Sequence, residues 1–459
     1  MSVFKAYDIR GLVPDEMNVE LARKIGHAFA TLHQERNPDA SSVRLLIGRD
    51  VRTHSPEIGD AVIEGMRDAG ANVLDIGIAS TPMTYFAIGS QDVDGGLCVT
   101  ASHNPGEYNG MKLCGRGATP ISKANGIADM ERMCGQAYPG VTAERGSLET
   151  IDLLDAYADH VASFADLGGP ITVAVDAANG MAGYTLGKVL ERIPGVTMHG
   201  LFLEPDGTFP NHEANPLKEE NLDPVRELVR STGAAFGVGF DGDADRCCFV
   251  DDSGQTVSAD LITALFAREF LLREPGQSVV YDLRSSWVVP EVIEESGGEP
   301  LRDRVGHSFI KATMREHESI LGGELSGHFY FRDNFVCDSG LIAFVTALNL
   351  MSSEDGGGTL AERVADLRRY HSTGEINFRV PDKDAILATL KSKYASGKQD
   401  ELDGITVEFG ALGDAEWWWF NVRASNTEPL LRLNLEASTA ALRDAKRAEL
   451  IALLGEPEA

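Results

Sequence analysis

GLCVTASHNPGEYNGMK (Gly96–Lys112) reads as an apolar strand that runs into a polar loop. Gly96-Leu97-Cys98-Val99 is the strand. Ser102 stands where the strand hands over to the loop, with His103 and Asn104 beside it and Pro105 setting the next turn. Gly106 and Gly110 leave the backbone free to approach a ligand, and Lys112 returns a positive charge. A hydroxyl among small neighbours, with amide, imidazole and ammonium groups close by, suits a site that carries or transfers a phosphoryl group. A polar turn capping the next helix would use the same residue types.

Outward from this stretch the pattern recurs. VRLLIGRD (Val43–Asp50) and ANVLDIG (Ala71–Gly77) are the strands before it. PITVAVDAANG (Pro170–Gly180), VTMHGLF (Val196–Phe202) and AAFGVGFDGDADR (Ala234–Arg246) repeat the order. So do QSVVYDLRSS (Gln277–Ser286), EPLRDRVGHSFIK (Glu299–Lys311) and SILGGELSGHFYF (Ser319–Phe331). Each unit reads strand, helix, strand, then a strand with a conspicuous loop. Continuous apolar strands alternating with helices predict mostly parallel sheets covered on both faces, with ligands at the carboxyl ends of the strands. From about Arg369 the character changes. INFRVPDK, ITVEFG and EWWWFNVRAS read as antiparallel strands, and LRDAKRAELIALL as a closing helix. The expected fold is three similar mixed-sheet α/β domains, at 1–150, 151–255 and 256–368, plus a C-terminal α+β domain at 369–459.

Composition limits the function. At 459 residues the chain is too long for one core. Lys and Arg number 41 against 70 Asp and Glu, a net charge of −29, which disfavours nucleic acid and anionic membrane as partners. An anionic substrate therefore needs a local basic pocket. The six cysteines form no CxxC pair and several sit in apolar strands, which fits a reducing, cytoplasmic setting. The N-terminal MSVFKAYDIRG lacks an apolar signal segment, and no run approaches a membrane-spanning length.

DGDADR is the strongest metal signal. Asp241, Asp243 and Asp245 follow a strand at i, i+2, i+4, so three carboxylates can converge on one hard cation, and Mg²⁺ suits such a set. An EF-hand is rejected, because its sixth and twelfth positions here are Arg246 and Asp252. A solvated turn remains an alternative, though crowded carboxylates repel unless a cation neutralises them. GGELSGH offers Glu324, Ser326 and His328 between glycines, suited to sugar hydroxyls or simply to a Gly-rich turn. RASNTEP groups Arg423, Ser425, Asn426 and Thr427, which can converge on one phosphate. Arg432 either joins them or faces solvent. Trp417, Trp418 and Trp419 read as strand packing rather than a base-stacking platform. KAYDIRG (Lys5–Gly11) places Tyr7 and Arg10 either on an exposed strand edge or toward an oxyanion.

Together, KAYDIRG, TASHNP, DGDADR, GELSGH and RASNTEP resemble the α-D-phosphohexomutase family, in its phosphomannomutase/phosphoglucomutase branch. They stand in the family's order from Lys5 to Pro429. The resemblance implies four domains around a central active-site cleft. It implies that Ser102 is a phosphoserine, and that Asp241, Asp243, Asp245 and a Ser102 phosphate oxygen hold Mg²⁺. Glu324 and Ser326 would contact the sugar 3- and 4-hydroxyls, with His328 nearby. Arg423, Ser425, Asn426 and Thr427 would hold the distal phosphate. Tyr7, Arg10, Lys112, Arg246 and His307 carry over as further site residues, with Lys112, His103 and His328 as rival proton carriers. Arg284 stands where the family often has Lys, and the two are not equivalent donors. The implied activity interconverts hexose 6-phosphate and hexose 1-phosphate through a hexose 1,6-bisphosphate. The implied partners are small hexose phosphates, with a monomer or homodimer as the working unit. A phosphoglucosamine mutase, a metal-dependent sugar phosphatase and a non-catalytic sugar-phosphate sensor are the rivals.

Overall fold

The computed structural model describes the chain except residues 1, 41, 143, 353–357, 412, 426–429 and 459. Among the described residues the strands form four sheets. In the first, Arg44–Arg49 lies between the parallel strands Asn72–Ile78 and Gly95–Val99. Beyond Gly95–Val99 the sheet turns antiparallel, through Tyr108–Gly115 to Ile9–Leu12. A Cβ at Gly110 would overlap the Ile9 carbonyl, so this edge closes only around glycine. Asn18 starts the first helix, Val19–Arg36, by accepting from Leu21 N at 3.0 Å.

The second sheet runs Thr256–Val257, Cys247–Asp251, Phe236–Phe240, Ile171–Asp176, Val196–Leu201. The third runs Glu299–Asp303, Ser278–Asp282, Leu321–Gly323, Phe329–Phe331, Cys337–Asp338. Both are parallel on one side and antiparallel on the other. The sequence pointed to mostly parallel strands; the antiparallel share is larger. In each of the three units the third strand ends in its functional loop and returns as an antiparallel partner. Gly95–Val99 returns as Tyr108–Gly115, Phe236–Phe240 as Cys247–Asp251, and Leu321–Gly323 as Phe329–Phe331. The three loops are hairpin tips, held at both ends by ladder hydrogen bonds, rather than caps of a following helix.

The fourth sheet is antiparallel throughout, in the order His371–Arg379, Leu430–Ala437, Trp418–Ala424, Ile405–Phe409, Lys398–Asp400. Helices Lys383–Lys393 and Ala440–Leu454 accompany it. Leu430–Ala437, Lys398–Asp400 and Lys383–Lys393 are elements the sequence reading did not place. Trp417, Trp418 and Trp419 are buried, and Trp417 stacks on Trp287 of the third unit with ring centroids 4.4 Å apart.

One apolar core runs without a break from Leu46 and Met83, through Val175 and Phe240, to Phe331 and Leu367. A second core, with Phe29, Val62 and Leu97, lies beneath helices Val19–Arg36 and Ser55–Asp68. The fourth unit has its own core around Phe420, Leu433 and Leu450. The shared core fixes three of the functional loops relative to one another.

Candidate active site

Ser102 is fully buried and has a φ of +54°, a left-handed conformation that costs a non-glycine residue energy. The surrounding contacts over-determine it. Its N–H donates to Thr100 Oγ1 at 3.0 Å. Its Oγ donates to Asp241 Oδ2 at 3.1 Å and lies 3.2 Å from His103 Nδ1. Its carbonyl accepts from Arg52 Nη2 at 2.7 Å.

Arg52 is 1% exposed and also donates to the carbonyls of Asn104, Pro105 and Tyr108, while its Nε meets Asp50. One guanidinium thus ties four carbonyls of the Ser102 loop together. The sequence reading passed over Arg52. Its signal was modest: an arginine in the polar segment just after the buried strand ending at Asp50. Arg10 donates to Asn104 Oδ1 and to Asp8 Oδ2, both at 2.5 Å.

Against this loop stand the carboxylates of Asp241, Asp243 and Asp245, each almost wholly buried. One oxygen of each lies within 4.8 Å of the others. A Cβ at Gly242 would come 2.5 Å from the Ser102 carbonyl, so the approach of the two loops depends on that glycine. Thr81 Oγ1 donates to Asp243 Oδ2 at 2.6 Å. Lys112 Nζ bridges Asp243, at 2.7 Å, and Asp245. Among the described residues, Asp243 Oδ1 and Asp245 Oδ1 are buried without a hydrogen-bond partner. Unpartnered buried carboxylate oxygens beside a third carboxylate are what a divalent cation would satisfy, so the residues present fit a metal.

The electrostatics follow from crowding. Burial, then Asp243 and Asp245, push the Asp241 carboxyl well above its usual range. Burial works the same way on Asp245, but Lys112 and His328 outweigh it and hold that carboxyl well below. For Lys112, burial opposes the charge, yet Asp243 and Asp245 raise its pKa and keep it protonated. Burial, with Arg246 and Arg10, holds His103 well below the usual imidazole value, so it is neutral.

Arg246 links this centre to the GELSGH loop. Its Nε lies 3.1 Å from His328 Nε2 and 3.7 Å from Asp241. His328 Nδ1 is 2.9 Å from Ser326 Oγ and 3.2 Å from Glu324. Burial and Arg246 lower the His328 pKa, but Asp245 and Glu324 lift it to about 9. Glu324 accepts from Gly306 N at 2.9 Å and from Tyr330 OH at 2.5 Å. His307 is held at about 3 by burial and by Lys311, hence neutral. Its ring meets that of Tyr7 edge-on, with centroids 5.8 Å apart.

From this loop the polar contacts continue to the fourth unit. Leu325 N donates to Asp282 Oδ2 at 2.8 Å, and Asp282 holds Arg284 at 2.7 Å. Arg284 reaches Glu375 at 3.4 Å, which also meets Arg423 at 3.3 Å and Arg432 at 2.8 Å. Ser425 N donates to Leu430 O at 2.9 Å, closing the base of the hairpin. Asn426 and Thr427 lie outside the described residues. Glu375, the shared partner of three arginines, is the second residue that sequence reasoning missed, and GEI gave no sign of it.

Family models for phosphoglucomutase/phosphomannomutase match the chain in succession. The α/β/α domains I, II and III match residues 1–132, 155–254 and 258–370, and the C-terminal domain matches 375–453. A phosphomannomutase of Salmonella montevideo is 38% identical, with 99% of each chain covered. The phosphohexose mutases protein of Xanthomonas campestris pv. campestris strain B100 is 39% identical at the same coverage. A crystal structure of a phosphoglucomutase/phosphomannomutase family protein from Burkholderia thailandensis superposes with a TM-score of 0.88 at 32% identity, covering 100% of this chain and 98% of that one. The chain belongs to the phosphoglucomutase/phosphomannomutase family of phosphohexomutases, enzymes that move a phosphoryl group within a substrate.

Proposed function

We propose that the protein interconverts hexose 6-phosphate and hexose 1-phosphate, for mannose and glucose alike, through a phosphate ester on Ser102 and a hexose 1,6-bisphosphate. The observation that carries this reading is the 3.1 Å contact between Ser102 Oγ and Asp241 Oδ2, which sets a buried hydroxyl against three convergent carboxylates. In the first half-reaction a free sugar hydroxyl attacks the phosphorus of the Ser102 ester in line. The sugar O–P bond forms as the Ser102 Oγ–P bond breaks, and the hydroxyl proton passes to a nearby base. The bisphosphate then turns end for end, and Ser102 Oγ attacks the other phosphorus; that sugar O–P bond breaks as the Oγ–P bond forms, and the proton held by the base returns to the freed sugar oxygen.

Asp241, Asp243 and Asp245 would hold Mg²⁺, which when bound would neutralise charge on the transferring group. Arg10 and Arg246 share that load. Lys112, His103 and His328 can carry the proton. His103 is held neutral at 3.2 Å from Ser102 Oγ, whereas Lys112 is held protonated between two carboxylates. Glu324 and Ser326 bind the sugar hydroxyls, with Tyr7 and His307 beside them. Arg284, Arg423, Ser425, Asn426 and Thr427 hold the distal phosphate. Contacts at the 3- and 4-hydroxyls do not distinguish mannose from glucose, which differ at C2.

We take the domains as 1–150, 151–255, 256–368 and 369–459, a monomer or homodimer as the working unit, and the cytoplasm as its site. The free cysteines and acidic balance support that placement. Among the described residues no helix is long and apolar enough to cross a membrane.

A coupled assay of mannose 1-phosphate and glucose 1-phosphate, with a trace of the bisphosphate sugar, tests the reading. Both should turn over without release of inorganic phosphate. Ser102→Ala should abolish turnover and keep ligand binding; a fully active variant refutes the assignment. Phosphate release would indicate a phosphatase, and a preference for glucosamine 1-phosphate the third sugar branch.

A further inference from the structure

Arg423 and Arg432 are direct register partners across the hairpin between Trp418–Ala424 and Leu430–Ala437, so both side chains leave the same face of the sheet. Like charges placed opposite one another destabilise a sheet unless an anion lies between them. Glu375 is that anion. It pairs with Asn434 on the neighbouring strand, which makes it the diagonal neighbour of Arg432. One of its oxygens meets Arg432 at 2.8 Å, and the other is shared by Arg423 at 3.3 Å and Arg284 at 3.4 Å. Arg284 comes from the third unit, where Asp282 already holds it at 2.7 Å. Three guanidinium groups therefore meet at one carboxylate, and one of them is also held by a second.

We propose that Glu375 sets the affinity of this arginine cluster for the distal phosphate, as an internal carboxylate that competes with the substrate for the same guanidinium groups. This rests on the reading of the cluster as the phosphate clamp. When no substrate is bound, Glu375 holds Arg423 and Arg432 together against their mutual repulsion and ties them to Arg284, so the donors stay assembled. When a phosphate dianion arrives, the arginines no longer need the carboxylate, and Glu375 becomes a like charge close to the ligand. Binding is weakened by that repulsion. A bisphosphate that must leave the clamp by one phosphate and re-enter by the other needs such a limit, because a clamp with only cations would hold the intermediate in one pose.

The test reads binding apart from turnover. In a Ser102→Ala background, glucose 1-phosphate is titrated calorimetrically into the protein with and without Glu375→Gln. The amide keeps the shape and one acceptor but removes the charge. The expected result is Kd about tenfold lower in the glutamine variant, one charge interaction through partly screened surroundings. In the Ser102 enzyme the same change should lower KM and kcat together, the pattern of a slowed release. Loss of a merely structural contact would not tighten binding. Unchanged or weaker binding, in a variant whose melting temperature matches its parent, overturns the proposal. Should Glu375→Gln fail to fold, Glu375→Asp, which withdraws the carboxylate by one methylene, should bind about two- to threefold more tightly; equal or weaker binding overturns the proposal equally. Because binding is measured without the serine hydroxyl, a protein that lacks mutase turnover would defeat the proposed function and leave this result readable.

Discussion

At the Ser102 end of the site two of the three aspartates share one lysine; at the distal end three arginines share one glutamate. The two clusters are mirror images in charge but not in setting. Asp241, Asp243 and Asp245 are sealed, with Lys112 side-chain exposure of 7%, whereas Glu375 and Arg432 keep 21% and 23%. The aspartate cluster retains buried oxygens without donors and so calls for a cation. The arginine cluster gathers three guanidinium groups around one shared carboxylate and so suits an anion. In each, a residue of opposite sign joins members of the cluster at a point that a ligand can relieve. A protein with a net charge of −29 thus keeps a local cluster of positive charge, concentrated by contacts between segments far apart in sequence.

The comparison can be broken most sharply at the aspartates. Asp243→Asn should cut turnover by about a thousandfold or more in the coupled assay, and a chelator should do the same to the parent. Glucose 1-phosphate binding in the Ser102→Ala background should change far less, since the arginines carry it. Equal losses in both would mean that the two ends are not separate. Next comes Arg52→Ala. Removing a buried cation that four carbonyls and Asp50 share should cost about 3–5 kcal/mol, read in urea unfolding. A change below about 1 kcal/mol would show that the Ser102 loop holds its own shape. Arg423→Ala should then raise KM about 10- to 100-fold with a smaller fall in kcat, the mark of lost ground-state and transition-state binding alike.

The smallest effect concerns pH where the third and fourth units meet. Glu436 Oε2 accepts from Trp287 N at 2.9 Å and from Trp419 Nε1 at 3.1 Å. Burial nonetheless lifts its carboxyl to about 7, with Asp260 adding to the rise. A folded pKa above the unfolded one means that the folded state binds the proton more tightly. Its contribution is fully present below about 4.5 and lost as pH rises through about 7. Glu436→Gln should remove that slope and leave the protein about 1–3 kcal/mol more stable than its parent at pH 8. Parallel stability–pH curves for the two proteins would count against it.

Most of the fold was legible because the central strands of the first three units are apolar runs, and the third strand of each unit ends in a loop of unusual composition. What hid the antiparallel returns is that hairpin tips and helix caps draw on the same small polar residues. Lys383–Lys393 was hidden because Leu390 is its one fully buried residue, so it carries almost no periodic signal. Most site residues announced themselves by clustering within short loops. Arg52 and Glu375 could not, because their meaning lies in partners roughly fifty or more residues away. A lone arginine after a strand and a lone glutamate within one look ordinary until the chain has folded.

The separate core of the fourth unit has a consequence for how the molecule breathes. Because Phe420, Leu433 and Leu450 pack with one another rather than with the rest, the C-terminal quarter can tilt as a rigid flap about the connection near Tyr370. The polar bonds through Glu375 and Glu436, the pairing of Arg302 with Asp400 and Glu408, and the Trp287–Trp417 stack are what such a tilt would have to release, and none of them belongs to the core of the flap.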